Sequence, residues 1–165
     1  MRVRLSFLTV LLFVFLFSCA NDENNNTVQE SFDSGDYNSV IRDADDILSS
    51  SLDSDALFYR TLSYYRLGKT RNAEQGSYFH LLIFDEDDVH YYSAAEILLR
   101  TTGDPEKALY AGDILSNAGR LNRVDYLPYY HALLKTGNED RADRFYYAIT
   151  PGLSAFDLAL MNIRA

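Results

Sequence analysis

One stretch decides how this chain folds: Leu57-Phe58-Tyr59-Arg60-Thr61-Leu62-Ser63-Tyr64-Tyr65-Arg66-Leu67-Gly68. Its apolar residues recur at helical spacing, and glycine commonly ends a helix, so the stretch predicts an amphipathic helix that ends at Gly68. Ala73 follows five residues later, in a segment that predicts the next helix. The unit is therefore a helix, a tight turn and a second helix.

The same unit recurs along the chain. Turns containing Gly35, Gly68, Gly103 and Gly137 follow one another at intervals of 33, 35 and 34 residues, each between two segments of helical period. Two helices and two tight turns need about 34 residues. The spacing therefore predicts an all-α chain in which helix hairpins stack side by side.

The small residues near these turns resemble those of tetratricopeptide repeats. Ala73, Ala108 and Ala142 each lie five residues after a turn glycine, where a small side chain lets two helices approach closely. The resemblance covers residues 27–150. The family's Leu-Gly pair is replaced here, for example by Arg60-Thr61, so a related α-solenoid repeat is the alternative.

This resemblance implies an architecture for residues 27–165. We expect a right-handed helical-repeat solenoid of about three and a half to four hairpins. An array of this kind leaves an apolar face on its last repeat, which a terminal helix normally covers. Residues 153–164 are therefore predicted to form a C-terminal capping helix.

The N-terminus predicts export. Arg2 and Arg4 accompany an apolar run from Leu5 to Phe17. A helix of that length spans about 20 Å, which is too short for the hydrocarbon core of about 30 Å. A signal peptide therefore fits better than a transmembrane helix.

The sequence Leu16-Phe17-Ser18-Cys19 resembles the lipobox of bacterial lipoproteins, and Cys19 is the chain's single cysteine. The resemblance implies a lipoprotein signal peptide over residues 1–18 and acyl chains such as palmitate on Cys19. Ala20 follows the cysteine where enteric bacteria use aspartate to retain lipoproteins at the inner membrane, so anchoring at the periplasmic face of the outer membrane is expected. The alternative is an ordinary secretory signal with an incidental cysteine. Residues 19–26 are polar and lack helical period, which predicts a flexible tether.

Charge and residue spacing exclude several classes of function. The net charge of −9 opposes binding to the phosphate backbone of nucleic acids. His80, His90 and His131 have no metal-ligand spacing, so neither a metal nor a cofactor is predicted. The acidic run 85–88 indicates a solvated loop, with metal binding as the lesser alternative. No carboxylate or histidine stands in a recognisable order with a nucleophile, so we expect no enzyme.

In the family, the first helix of each unit lines a concave face that receives a peptide. Carrying the lining positions over predicts an apolar and aromatic groove edged by cations. Its members are Phe58, Leu62, Tyr65, Arg66, His90, Ile97, Arg100, Leu127, His131 and Lys135. Such a trough suits a hydrophobic segment that bears a carboxylate, although the apolar members are also candidates for the core between helices. Asp125 is predicted to cap the helix that contains His131 and Lys135.

The combined interpretation is a membrane-tethered lipoprotein of the bacterial cell envelope. Its domain would act as a scaffold or adaptor that binds an envelope protein or a peptide segment of one. The alternative is a component that binds a small ligand or works with a transporter. The sequence identifies no particular partner.

Overall fold

The computed structural model describes residues 27–154, 159 and 161. The predictions for residues 1–26, which concern the signal peptide, Cys19 and the tether, lie outside the described residues. The described part of helix α1 covers residues 27–33. The other helices are α2 (Tyr37–Ser50), α3 (Ser54–Arg66), α4 (Thr70–Ile83), α5 (Tyr91–Thr101), α6 (Pro105–Asn117), α7 (Tyr126–Lys135) and α8 (Glu139–Ile149), with 3-10 turns at Arg123–Asp125 and Thr150–Gly152.

Each helix from α2 to α8 packs against the next one along the chain. The first helices of successive hairpins also touch, since α3 contacts α5 and α5 contacts α7. The described residues contain no strand. The prediction of an all-helical, repeat-like architecture is therefore confirmed.

Three of the four predicted glycine turns have the left-handed backbone that favours glycine. The φ angles are 83° at Gly35, 69° at Gly68 and 75° at Gly137. Other residues strain at such angles, which explains why glycine recurs at these turns.

The third turn is built differently, because Gly103 does not have positive φ. Here Thr102 is extended after α5, and the carboxylate of Asp104 accepts the backbone N–H of Glu106 at 2.9 Å. Pro105 then occupies the first turn of α6, where no amide hydrogen is needed. The regular interval at Gly103 thus reflects a helix start rather than a glycine-dependent helix end.

The predicted close approach within hairpins is confirmed by burial. Ala73 and Ala142 have no exposed surface, and Ala108 is nearly as buried. The first hairpin has Val40 at this position, and it is also fully buried. Small or compact side chains therefore set the distance between the paired helices.

The larger apolar core runs from α4 to Met161. Its most buried large side chains include Leu98, Leu99, Leu115 and Leu133. Met161 is helical and belongs to this core, as the predicted cap requires. Most of the remaining predicted cap lies outside the described residues.

Candidate functional site

The structure separates the ten predicted groove residues by their surroundings. Five of them pack between helices α3 and α5, namely Phe58, Leu62, Tyr65, His90 and Ile97. Arg100 is held in an ion pair, and His131 and Lys135 border a cavity beside α7. Arg66 is exposed, and Leu127 is half-buried on the larger core.

The packed group forms a small core of its own. Phe58 and Ile97 are buried together with Ala73, and Leu62 and Tyr65 pack against them from the side. These residues were predicted to line the groove, with an alternative role in the core. Burial gives Phe58 and Ile97 the second role, while Leu62 and Tyr65 keep part of their surface exposed.

His90 is fixed on this small core. Its ring stacks on Phe58 with 4.0 Å between centroids and an angle of 7° between planes. Its Nε2 lies 2.8 Å from Oδ1 of Asp55, and since a carboxylate only accepts, the imidazole donates. The Tyr59 ring meets His90 edge-on. One face and the Nε2 of this imidazole are therefore engaged within the protein.

A neighbouring polar network, which the sequence did not predict, centres on Asp88. Its Oδ1 accepts from His80 Nε2 at 3.0 Å and from the backbone N–H of His90 at 2.9 Å. Its Oδ2 accepts the Ser54 hydroxyl at 2.5 Å. Burial opposes ionisation of Asp88, but these hydrogen bonds lower its pKa overall. The last acid of the predicted solvated run is thus a structural anchor.

The order of this network differs from that of a nucleophilic triad. The Ser54 hydroxyl donates to the carboxylate of Asp88, so no imidazole takes its proton. Burial lowers the pKa of His80 despite the bond to Asp88, which keeps this fully buried imidazole neutral at neutral pH. The arrangement joins α3, α4 and the start of α5, and it activates no nucleophile.

Arg100 is the predicted groove cation that the structure finds in an ion pair. Its Nε and Nη2 donate to the two carboxylate oxygens of Asp125 at 2.6 and 3.0 Å. The Asp125 side chain is fully buried, and the bond to it raises the pKa of Arg100. Asp125 occupies the N-cap position of α7, as predicted, but its side chain makes no cap bond, because both oxygens accept from Arg100.

His131 and Lys135 border a cavity of about 190 Å³, here called the α7 pocket. Its other walls are Leu99, the turn 102–105, Ala108 and two further residues of α7, Pro128 and Ala132. Nε2 of His131 is buried and has no hydrogen-bond partner among the described residues. Burial, followed by the nearby Lys135 charge, lowers the pKa of His131, so its ring is neutral at neutral pH.

Lys135 supplies the positive charge of the α7 pocket. It is exposed, and in the described part of the chain its ammonium group has no ion-pair partner. The pocket therefore combines a free ammonium, the His131 imidazole and an apolar floor with one carboxylate, that of Asp104, which accepts the backbone N–H of Glu106. A ligand carboxylate could pair with this ammonium, because an ammonium only donates hydrogen bonds.

A second cavity, of about 360 Å³, lies between α3 and α4 and was missed by the sequence analysis. It is lined by Arg60, Tyr64, Asn72, Gln75, Gly76 and Phe79. No motif in the sequence marks these residues, because they meet only when the two helices pack. We call it the α3–α4 cavity.

Among residues 27–154, 159 and 161, no group of three or more histidines, cysteines or carboxylates is arranged to hold a metal ion. Over the same part of the chain, no helix has the length and apolar character needed to span a membrane. No family model, curated protein or solved structure matches the chain.

Proposed function

We propose that the chain is a lipoprotein of the bacterial cell envelope, similar to tetratricopeptide-repeat proteins, that binds a segment of another envelope protein. The lipobox-like sequence before Cys19 supports the anchor, and the glycine interval supports a right-handed solenoid. The contacts of α3 with α5 and of α5 with α7 agree with a stacked array. No catalytic activity belongs to this proposal.

The observation that carries the binding proposal is the α7 pocket. Buried polar atoms normally have partners, and an unpaired one costs about 1–3 kcal/mol. His131 Nε2 is such an atom, and it lies beside the free charge of Lys135. In this proposal the His131 ring turns toward the ligand, so that the ligand carboxylate accepts from Nε2 while it pairs with the ammonium.

The pocket also limits the size and character of the ligand. Leu99, Ala108, Pro128 and Ala132 offer apolar surface, and about 190 Å³ suits one small or medium apolar side chain. The ligand is therefore the carboxyl-terminal end of a protein segment, with a small apolar last residue. Arg100 is committed to Asp125, so Lys135 takes the carboxylate in this proposal.

Defined peptides test the binding. The full chain is titrated with hydrophobic peptides that end in alanine or valine, each as free acid and as carboxyl-terminal amide. We expect the acid to bind at least about tenfold more tightly, because one charge-assisted contact contributes about 1.5 kcal/mol. Equal affinity of the acid and amide forms would contradict the carboxylate role.

Two variants locate the peptide. Lys135→Glu should abolish the preference for the free acid, since it places like charge beside the ligand. Arg144→Glu is the matched control, because Arg144 is exposed on the neighbouring helix α8 and makes the same change in net charge. Equal losses in both variants would indicate a general charge effect instead of the α7 pocket.

The alternative ligand is a free hydrophobic carboxylic acid, as expected for a transporter-associated component. The small volume of the α7 pocket suits a ligand of this size. Octanoate competing with the peptide at similar affinity would support this alternative, whereas weak competition by octanoate would support the peptide. Both ligands need Lys135, so only their relative affinity separates the two functions.

The anchor is tested independently of the ligand. Mass spectrometry of the exported chain should find the mature N-terminus at Cys19 with two or three acyl chains attached. A Cys19→Ser variant should leave the membrane fraction, because each buried methylene contributes about 0.8 kcal/mol to anchoring. An unacylated thiol in the exported wild type would refute the lipoprotein half of the proposal.

A further inference from the structure

Three neutral polar side chains in the walls of the α3–α4 cavity make no hydrogen bond within the described chain. The Tyr64 hydroxyl and the side-chain amides of Asn72 and Gln75 have no hydrogen-bond partner among the described residues. Asn72 and Gln75 are three residues apart on α4, so they lie on the same side of that helix. The cavity thus presents several neutral donors and acceptors at close spacing.

The cavity carries little net charge of its own. Arg60 is the one charged residue among the six that line it, and its Nη1 donates to Asp45 of α2 at 2.6 Å. An anionic ligand would therefore meet a guanidinium that is already paired, with the Asp45 carboxylate nearby. The chain's net charge of −9 adds to this disadvantage. These charges favour a neutral ligand.

An aromatic ring stands at the rim. Phe79 is 48% exposed and makes no ring contact with another aromatic residue of the described chain. It offers a flat apolar surface beside the amides, whereas the Tyr64 ring packs on the small core and has the Lys69 ammonium 5.6 Å from its centroid. A wholly apolar ligand would cover the ring but would leave Asn72 and Gln75 without partners, which is unfavourable.

We infer that the α3–α4 cavity binds a neutral saccharide unit. Sugar hydroxyls both donate and accept, as primary amides and the tyrosine hydroxyl do, and the C–H face of a pyranose ring matches the exposed face of Phe79. A volume of about 360 Å³ is within the range of small-molecule sites. This inference is independent of the peptide site at α7.

An extended peptide fits the cavity less well. Peptide grooves provide apolar pockets for alternate side chains in addition to hydrogen bonds to the backbone. The lining of this cavity contains no aliphatic side chain that would form such a pocket.

The test uses the full chain and three named probes, namely maltose, cellobiose and N,N′-diacetylchitobiose. Saturation-transfer NMR and calorimetric titration should detect at least one of them with a Kd of about 1 mM or lower. Phe79→Ala should weaken this binding at least about tenfold, and the pair Asn72→Leu with Gln75→Leu should abolish it. All these residues border solvent or a cavity, and circular dichroism checks that the helices are retained.

Leu82→Ala is the matched control, because Leu82 is 60% exposed on the same helix but does not line the cavity. It should bind the saccharide as the wild type does. The inference is overturned if none of the three probes binds, or if binding survives the Phe79 and amide substitutions. It is also overturned if an uncharged peptide displaces the saccharide at lower concentration.

Discussion

His90 and His131 were both predicted to line one binding face, but their surroundings differ. His90 stacks on Phe58 and donates to Asp55, so one ring face and its Nε2 are used within the fold. His131 has a buried nitrogen with no partner among the described residues, and it borders a cavity. The comparison teaches that position on a helix face does not separate a structural histidine from one available to a ligand. An unpaired nitrogen does so only together with a neighbouring cavity, because Nδ1 of the fully buried His80 also has no partner among the described residues.

The largest expected effect concerns the ion pair beside the α7 pocket. Arg100→Ala leaves Asp125 as a buried carboxylate without its partner, and loss of one member of such a pair costs about 3 kcal/mol. Urea unfolding followed by circular dichroism measures this loss. Arg66→Ala is the control: Arg66 is exposed at the end of α3, so its removal should change stability by less than about 0.5 kcal/mol. Equal stabilities of the two variants would show that Arg100 has no structural role.

The second prediction compares the two histidines directly. His90→Ala should cost about 2 kcal/mol, because it removes the Phe58 stack and the bond to Asp55. His131→Ala should cost less than about 0.5 kcal/mol, since removal of an unpaired polar atom offsets some of the lost packing. Urea midpoints of the two variants provide the measurement. A reversed order would contradict the distinction between a structural and an available histidine.

The helices were predictable because short sequence signals mark where each helix begins and ends. Gly68 and Gly137 stop helices through backbone conformations that few other residues adopt, and the pair Asp104-Pro105 starts one through its cap and fixed φ. These signals act over a few residues and need no knowledge of the rest of the chain. Gly103 differs from these turns, because glycine at the same interval has another backbone conformation there.

The site was less predictable because its pairings join distant positions. Aspartate is a common helix cap, but packing of α5 against the turn before α7 brings Arg100 to the Asp125 carboxylate. Likewise, His80 and Asp88 meet Ser54 only after α3 and α4 have packed. Helical spacing placed His131 and Lys135 on one face, but it could not tell which of the ten groove residues would remain unpaired.

A smaller effect on stability is expected from a change in pH, and His80 and His131 both contribute to it. Burial lowers the pKa of His80 and His131 in the folded chain, relative to about 6.5 for unfolded histidine. The unfolded chain then binds more protons below pH 6.5, so stability should fall as pH decreases and stay level above it. Asp88 and His90 face His80, whereas Lys135 faces His131.

Urea midpoints at about pH 7.5 and about pH 5.5 measure this dependence. His131→Leu should show a shallower loss than the wild type, because only the His80 contribution remains. The acidic residues titrate mainly below this range, which keeps the comparison specific to histidine. A wild-type stability that rises between pH 7.5 and pH 5.5 would contradict the lowered pKa values.

The smallest expected effect on stability is the most informative about function. Lys135→Ala removes an exposed ammonium that has no ion-pair partner among the described residues, so stability should change by less than about 0.5 kcal/mol. The same variant should lose about tenfold in affinity for the free-acid peptide and nothing for its amide, because the ammonium meets only the carboxylate. Lys69→Ala, which removes a lysine at the start of α4 away from the α7 pocket, should change neither the acid nor the amide affinity. A large stability loss in Lys135→Ala would mean that this lysine, like His90, is structural, and the contrast between the two regions would then fail.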